Sequence, residues 1–258
     1  MNNMTTDQRD ALRTRASALK LTGLLEHWDQ LSDDQLAMLS HWFDWEEEAR
    51  RHNGLQRRLG AAHLGKFKPL DDFDWSWPDE CDRAGIVELM ELGFIENNAN
   101  VIFLGPNGVG KSMLAQNLAY QAVMRGHSAV FVTAAKMLGD LSSQDGAAAL
   151  QRRLRYYARP DVLVIDELGY LSYSDRHADL LFEIVNRRYE KRPIVITTNR
   201  PFSEWNEVFP NAPCVVSIVD RLVHHSEIQC IEAQSYRMHE ASLRVEAKPK
   251  RKPAGKKP

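Results

Sequence analysis

Short apolar runs alternate with longer stretches of helical spacing through the central part of this 258-residue chain. The runs are rich in Val and Ile, which suits buried strands. Strands joined through helices pair in parallel and are covered on both faces. This pattern predicts a three-layer α/β domain with a parallel five-stranded sheet. The predicted strands are residues 101–105, 129–133, 161–166, 194–198 and 228–232.

Residues 7–65 follow the periodicity of helices instead. Ser32 or Asp33 is a suitable N-cap for a second helix. Trp28, Trp42 and Trp45 fall on these helices and are expected in their core. The apolar positions that recur at near-helical spacing are Leu12, Ala16, Leu19, Leu24 and Trp28, followed by Leu36, Leu39, Trp42 and Phe43.

Changes of composition along the chain predict its domain organisation. Pro69 and the charged run after it interrupt the helical pattern. We therefore predict a helical N-terminal domain at 1–68, a linker at 69–79 and the α/β domain at 80–244. Residues 245–258 form a basic tail. Because residues 248–258 hold six basic side chains, three prolines and no acid, this tail cannot bury a core and is expected to be disordered.

A phosphate-binding loop follows the first predicted strand. Residues 105–112 read GPNGVGKS, the pattern G-x-x-x-x-G-K-[ST], and good helix formers follow. Its backbone N–H groups and the positive end of the helix would bind phosphate oxygens. Lys111 would reach the β- and γ-phosphates of ATP, and Ser112 would ligate Mg²⁺. The predicted nucleotide-binding residues are Gly105, Pro106, Asn107, Gly108, Val109, Gly110, Lys111, Ser112, Met113 and Asp166.

Two further strands end in polar residues that complete such a site. Asp166 and Glu167 follow the run 162–165, and Asn199 follows the run 194–198. The carboxyl ends of parallel strands meet at one edge of the sheet, beside the phosphate loop. Asp166 would hold Mg²⁺ through water, Glu167 would polarise the attacking water, and Asn199 would hydrogen-bond that water or the γ-phosphate. The acidic pair predicts hydrolysis as well as binding.

Overall charge gives little information about partners, since the net charge is −2. Locally, residues 150–159 combine four arginines with two tyrosines, which suits contacts with nucleic acid. Arg152, Arg153 and Arg155 are the candidate DNA contacts. An amphipathic surface helix with a solvated basic face explains the same pattern, and the sequence leaves both interpretations open.

Cysteine usage and hydropathy indicate the cellular setting. Cys81, Cys214 and Cys230 are far apart and form no C-x-x-C pair, which favours a reducing cytoplasm. His224-His225 lies near Cys230 but lacks the repeated spacing of a zinc site. No apolar run approaches the length of a membrane span, and the N-terminus lacks an apolar signal core, so we expect neither membrane insertion nor targeting.

The order of motifs along the chain is more specific than the phosphate loop alone. GPNGVGKS is followed by VLVIDELGY, then NRRYEKRP, then ITTN, and finally DRL-x-HH. Over about residues 66–240 this order resembles the IstB-like helper ATPases of bacterial insertion sequences. These belong to the initiator-type branch of the AAA+ superfamily and are related to DnaC-type helicase loaders.

The resemblance implies an ATP-dependent transposition helper whose N-terminal domain, residues 1–68, binds DNA or a partner. Such a protein assembles as a homo-oligomer on duplex DNA with little sequence preference and stimulates an IstA-like transposase, and ATP hydrolysis resets it. Arg221 would be the arginine finger that enters the ATP site of a neighbouring subunit, and Asn199 the polar sensor. Few residues follow the last strand, so no full C-terminal lid is expected. Arg237 is at the place of a second sensor arginine in a relative, and the sequence leaves its role open.

Two other functions are compatible with the same core. A DnaC-like helicase loader would deliver a helicase and hold single strands. The N-terminal region lacks the Cys/His cluster that would favour this reading. A binding module would use ATP only as a structural ligand, and Glu167 argues against it.

Overall fold

The computed structural model describes residues 4–210 and 213–239. The chain divides into two compact units between Arg57 and Arg58. The division therefore falls before the predicted linker, and residues 69–79 belong to the second unit. The predicted basic tail, 245–258, lies outside the described residues.

The first unit is helical, as its periodicity predicts. Its helices are α1 (Thr6–Ala18), α2 (Thr22–Glu26) and the first part of α3 (Asp33–Ala62), with a 3₁₀ turn at Trp28–Gln30. Ser32 begins α3 as the predicted cap: its hydroxyl accepts from the Gln35 amide at 3.3 Å, and Gln35 Oε1 accepts from the Ser32 amide. The buried core consists of Leu12, Ala16, Leu19, Trp28, Leu36 and Phe43.

The predicted burial of the tryptophans is only partly right. Trp28 is buried, whereas Trp42 is 50% exposed and Trp45 is 65% exposed. Both lie on α3 with the exposed Met38, at spacings of four and three residues, so they share the helix face opposite Phe43. Helical periodicity identified the helix but assigned these two rings to the wrong face.

The second unit contains the α/β domain. Short 3₁₀ turns lie at Leu70–Asp72 and Phe202–Glu204. Its further helices are α4 (Arg83–Leu89), α5 (Gly93–Glu96), α6 (Lys111–Met124), α7 (Ala134–Ser142), α8 (Ala147–Ala158), α9 (Asp175–Arg188), α10 (Trp205–Val208) and α11 (Val215–Val223). Its strands are β1 (Glu80–Cys81), β2 (Asn100–Leu104), β3 (Ala129–Thr133), β4 (Val162–Leu168), β5 (Ile194–Thr198) and β6 (Ser226–Glu232).

The sheet has the order β1-β6-β2-β5-β4-β3. The five predicted strands all form and pair in parallel. The sequence missed β1, which has two residues and pairs antiparallel with β6. The central strand β5 is buried along its whole length, and in β4 only Glu167 is exposed. Strands covered by helices on both faces need such continuous apolar runs.

None of the described helices has the length and apolar character required to cross a membrane. Beyond β6, the described chain contains one further helical stretch, residues 236–239. The sequence predicts that no full lid follows β6, and residues 240–258 at this end of the chain lie outside the described residues.

Arg188 is a buried cation that joins three parts of the domain. Its guanidinium donates to the carbonyl oxygens of Tyr157, Ala158, Pro160, Asp161 and Pro193, at 2.6–3.2 Å. Burial lowers the pKa of Arg188 to about 9, so the group is still charged at pH 7. The C-terminus of α9 is thereby tied to the loops that precede β4 and β5.

An Arg188→Met substitution is expected to lower the free energy of unfolding by about 3–4 kcal/mol, because it leaves these buried carbonyls without their donor. Urea denaturation measures the effect. Arg187→Met is the matched control: Arg187 makes a partly exposed ion pair with Glu183, so its loss should cost less than about 1 kcal/mol. Equal destabilisation by both variants would contradict the structural role of Arg188.

Candidate nucleotide-binding site

The phosphate loop connects β2 to α6, as the motif requires. Lys111, the first residue of α6, is 3% exposed, and its Nζ atom donates to the carbonyls of Gly105 and Pro106 at 2.7 and 2.6 Å. Burial and the nearby Arg237 together lower the pKa of Lys111 to about 8, while Asp166 opposes the shift. The ammonium group is therefore held inside the loop beside the carboxylates.

Two loop glycines are required by close contacts. Gly110 has φ +102°, and a Cβ atom there would come within 2.5 Å of the Phe73 ring. A Cβ atom on Gly105 would collide with the carbonyl oxygen of Ile231. Larger side chains would therefore force the loop away from β6 and from residue 73.

Hydroxyl and carboxylate groups meet at the carboxyl ends of β4 and β5. The Ser112 hydroxyl donates to Asp166 Oδ1 at 2.8 Å, and the Thr197 hydroxyl donates to the same oxygen at 2.6 Å. Oxygen ligands of this kind suit Mg²⁺, which also keeps several of its waters. The sequence predicted Ser112 and Asp166 but missed Thr197, whose only signal was its position near the end of an apolar strand.

Glu167 is held in an unusual backbone conformation. Its φ is +60°, a left-handed value that costs a residue with a side chain on the order of 1–3 kcal/mol. The pairing of β4 with β5 shifts register between Ile165 and Leu168, and the Glu167 amide donates to the Thr197 hydroxyl at 2.9 Å. The bulge turns the Glu167 side chain out of the sheet, and Glu167 is the one exposed residue of β4.

Asn199 follows β5 at the same edge of the sheet. It is half-buried, and its Oδ1 atom is shielded from solvent without a hydrogen-bond partner among the described residues. A buried amide oxygen normally accepts a hydrogen bond. The position suits an acceptor for a water or ligand donor.

A cavity of about 300 Å³ opens beside the phosphate loop. The sequence assigned part of its lining to a linker, and it left Arg237 without a clear role. Trp77 donates from Nε1 to the Gln234 carbonyl at 2.9 Å, and its ring lies 5.5 Å from that of Tyr236. The residues that line the cavity include Lys68, Phe73, Trp77, Lys111, Ser112, Tyr170, Tyr236 and Arg237. The aromatic residues at 73, 75 and 77 were the available signal.

Arg221 lies near the amino-terminal ends of the strands, opposite the end of the sheet that carries the phosphate loop. Asn100, the first residue of β2, donates through its side chain to the carbonyl of Leu222 at 3.0 Å, whereas the phosphate loop follows the last residue of β2. Strands rise about 3.3 Å per residue, so roughly 13 Å of strand separates these two points. The Arg221 guanidinium stacks over Phe182, 4.7 Å from the ring centroid, and its Nη1 atom has no hydrogen-bond partner in the described residues.

The three candidate DNA contacts on α8 differ in their surroundings. Arg152 and Arg155 are exposed. Arg153 is half-buried: it forms an ion pair with Asp140 and lies over the rings of Tyr156 and Tyr157. Asp140 also accepts from the Tyr157 hydroxyl at 2.6 Å. Arg153 thus has partners inside the domain, and only its two neighbours face solvent freely.

The parallel sheet, the phosphate loop and the acidic pair at the end of β4 define a P-loop nucleotide-binding protein. A family model described as IstB-like ATP binding protein matches residues 14–244. The chain belongs to the IstB-like ATP-binding protein family.

Similar proteins agree with this assignment. The chain is 37% identical over 201 residues to a Geobacillus stearothermophilus protein named for ATP binding in insertion sequence IS5376, covering 78% of this chain and 79% of that protein. It is 38% identical over 205 residues to the corresponding IS21 protein of Pseudomonas aeruginosa, covering 80% and 76%. The crystal structure of DnaI has a similar fold, with a TM-score of 0.54, 21% identity and coverage of 63% of this chain and 90% of that one.

Proposed function

We propose that this protein is an ATP-hydrolysing, DNA-binding transposition helper, which assembles on target duplex DNA and stimulates a partner transposase. The cluster of Ser112, Asp166 and Thr197 beside the outward-facing Glu167 carries the enzymatic part of the proposal. Relatives named for insertion sequences support the role in transposition.

The residues present suit hydrolysis of Mg²⁺·ATP. Lys111 and the loop amides would bind the β- and γ-phosphates, and Ser112 and Asp166 would hold Mg²⁺, which neutralises phosphate charge when bound. Glu167 would orient and polarise the attacking water, and Asn199 would accept a hydrogen bond from it. Phe73, Trp77 and Tyr236 line the same cavity and are suited to contact the base or sugar.

The position of Arg221 supports an ATP site shared between two subunits. Its backbone lies at the amino edge of the sheet, away from the phosphate loop of its own chain. A guanidinium inserted by a neighbour would neutralise charge on the transferring phosphoryl group. ATP would therefore favour the homo-oligomer, and hydrolysis would remove that advantage.

ATP affinity is expected to weaken as the pH rises above about 8. The pKa of Lys111 is about 8 without nucleotide, and the triphosphate binds the charged form. Above that value, affinity should fall by up to about tenfold per pH unit. Fluorescent-nucleotide titrations from pH 6.5 to 9.5 measure it. Constant affinity across this range would show that Lys111 does not titrate there.

The exposed arginines of α8 are expected to contact DNA phosphates. Replacing Arg152 and Arg155 together by alanine should reduce the slope of log affinity against log salt by about 2, with ATP affinity unchanged. Anisotropy titrations at several salt concentrations measure the slope. The exposed Arg176, replaced by alanine, is the control. A slope that matches the wild type would exclude this surface of α8.

The proposed function as a whole is tested by binding to random duplex and single-stranded oligonucleotides, with and without ATP. ATP-dependent preference for duplex, regardless of sequence, is expected. Preference for single strands would favour helicase loading instead. If ATP promotes binding to neither, the DNA-binding part of the proposal fails.

A further inference from the structure

A cluster of metal-ligating side chains lies outside the nucleotide site. Glu190 follows α9, and His224 and His225 follow α11. One ligand atom from each lies within 4.8 Å of the others. Glu190 Oε1 is 3.9 Å from His224 Nδ1 and 3.8 Å from His225 Nε2. The two histidines are adjacent in sequence, but the carboxylate comes from a separate loop, so sequence spacing did not reveal the cluster.

The geometry is close to that of a bound transition metal. Zinc bonds to histidine nitrogen and carboxylate oxygen are about 2.0–2.2 Å, so tetrahedral ligand atoms lie roughly 3.3 Å apart. The side chains of Glu190, His224 and His225 are 55%, 51% and 57% exposed. They therefore have room to rotate by the small amount needed. Two imidazoles and a carboxylate leave a fourth position for water, as in three-ligand zinc sites.

The surroundings hold the three residues in place. The Tyr189 hydroxyl lies 2.9 Å from His224 Nδ1, the nitrogen that faces Glu190, and an ion bound to this atom would replace that hydrogen bond. The His225 carbonyl accepts from the Asn100 amide at 2.7 Å, which ties the histidine pair to the start of β2. Glu190 has φ +56°, a left-handed conformation. The backbone is thus fixed on both sides of the cluster.

We propose that Glu190, His224 and His225 form a binding site for a divalent transition metal such as Zn²⁺. The ion joins the segment after α9 to the end of α11. Helix α11 also carries Arg221. Its guanidinium lies over Phe182 of α9 and 5.9 Å from the ring of Tyr189, which directly follows α9. The site therefore fixes the backbone from which Arg221 projects. Its effect on the arginine finger rests on the proposed function. The binding site itself does not depend on ATP hydrolysis.

The test uses the untagged full chain without nucleotide or Mg²⁺, titrated with Co²⁺ while its visible absorption is recorded. One equivalent should bind with the d–d spectrum of a low-coordinate ion, and Zn²⁺ should displace it. The variant with His224→Gln and His225→Gln should lose this spectrum. Tyr189→Phe removes the hydrogen bond to His224 Nδ1 and should keep the spectrum, because this nitrogen is then free for the ion. The control is His52→Gln, an exposed histidine on α3.

Thermal unfolding provides a second readout. A ligand that binds only the folded chain raises the melting temperature by mass action. Zn²⁺ should raise it by several degrees in the wild type and in His52→Gln, but not in the double histidine variant. Lack of a Co²⁺ spectrum would overturn the proposal. So would a spectrum that persists in the double variant, or one with the charge-transfer band of a thiolate, which would assign the ion to a cysteine.

Discussion

Replacement of Arg221 by alanine should reduce ATP turnover by about 10³–10⁵-fold while leaving nucleotide affinity nearly unchanged. The loss follows because no guanidinium then neutralises the negative charge on the transferring phosphoryl group. Arg221 lies at the end of the sheet opposite its own phosphate loop, so we expect it to act on the ATP site of a neighbouring subunit. Steady-state phosphate release on duplex DNA measures turnover. Arg221→Lys keeps the positive charge but lacks the planar fork, so it should restore only part of the activity.

Mixing two inactive variants distinguishes a shared site from a site within one chain. Arg221→Ala subunits keep a complete phosphate loop and Glu167, whereas Glu167→Gln subunits keep the finger. Where a Glu167→Gln subunit supplies its Arg221 to the ATP site of an Arg221→Ala subunit, that ATP site is complete. Turnover should therefore reappear on mixing. A mixture that stays inactive would exclude action between subunits, and it would assign Arg221 a structural role through its stacking on Phe182.

Glu167→Gln should reduce turnover by about 10²–10⁴-fold, because the amide cannot accept a proton from the attacking water. The substitution conserves size, and the Glu167 amide can still donate to Thr197. ATP should bind with wild-type affinity, and the ATP-bound assembly should remain on DNA. Single-turnover assays with fluorescent-nucleotide binding separate the two steps.

The exposed Glu88, replaced by glutamine, is the matched control for Glu167. It should leave binding and turnover unchanged. If Glu167→Gln also hydrolysed ATP at the normal rate, Glu167 would not be the residue that activates the attacking water, and that catalytic role would have to be abandoned. Loss of ATP binding together with turnover would instead show that the substitution disturbs the bulge at the end of β4.

Some features followed from the sequence because they depend on neighbouring residues. The phosphate loop is a contiguous segment whose backbone conformation is set by its own glycines. The five parallel strands were predicted because strands buried on both faces need continuous apolar runs. The two-residue strand β1 was missed because it has no periodicity to detect, and it forms only by pairing with β6.

Features of the wider site depended on residues that are distant along the chain. Trp77 contacts Gln234 and Tyr236 beside the phosphate loop, so a segment that resembled a linker lines the nucleotide cavity. Arg153 pairs with Asp140 of the preceding helix, which distinguishes it from Arg152 and Arg155. A charge pattern alone gives no information about which basic side chain already has a partner.

By itself, the sequence determined the fold class, the residues of the phosphate loop and the acidic pair of β4, because local periodicity and contiguous motifs encode them. Only the tertiary structure decided where Arg221 lies, that Thr197 joins Asp166, and that Glu190 meets His224 and His225. These arrangements depend on how the strands and helices are ordered in space. That order results from packing of the whole domain, so no local pattern records it.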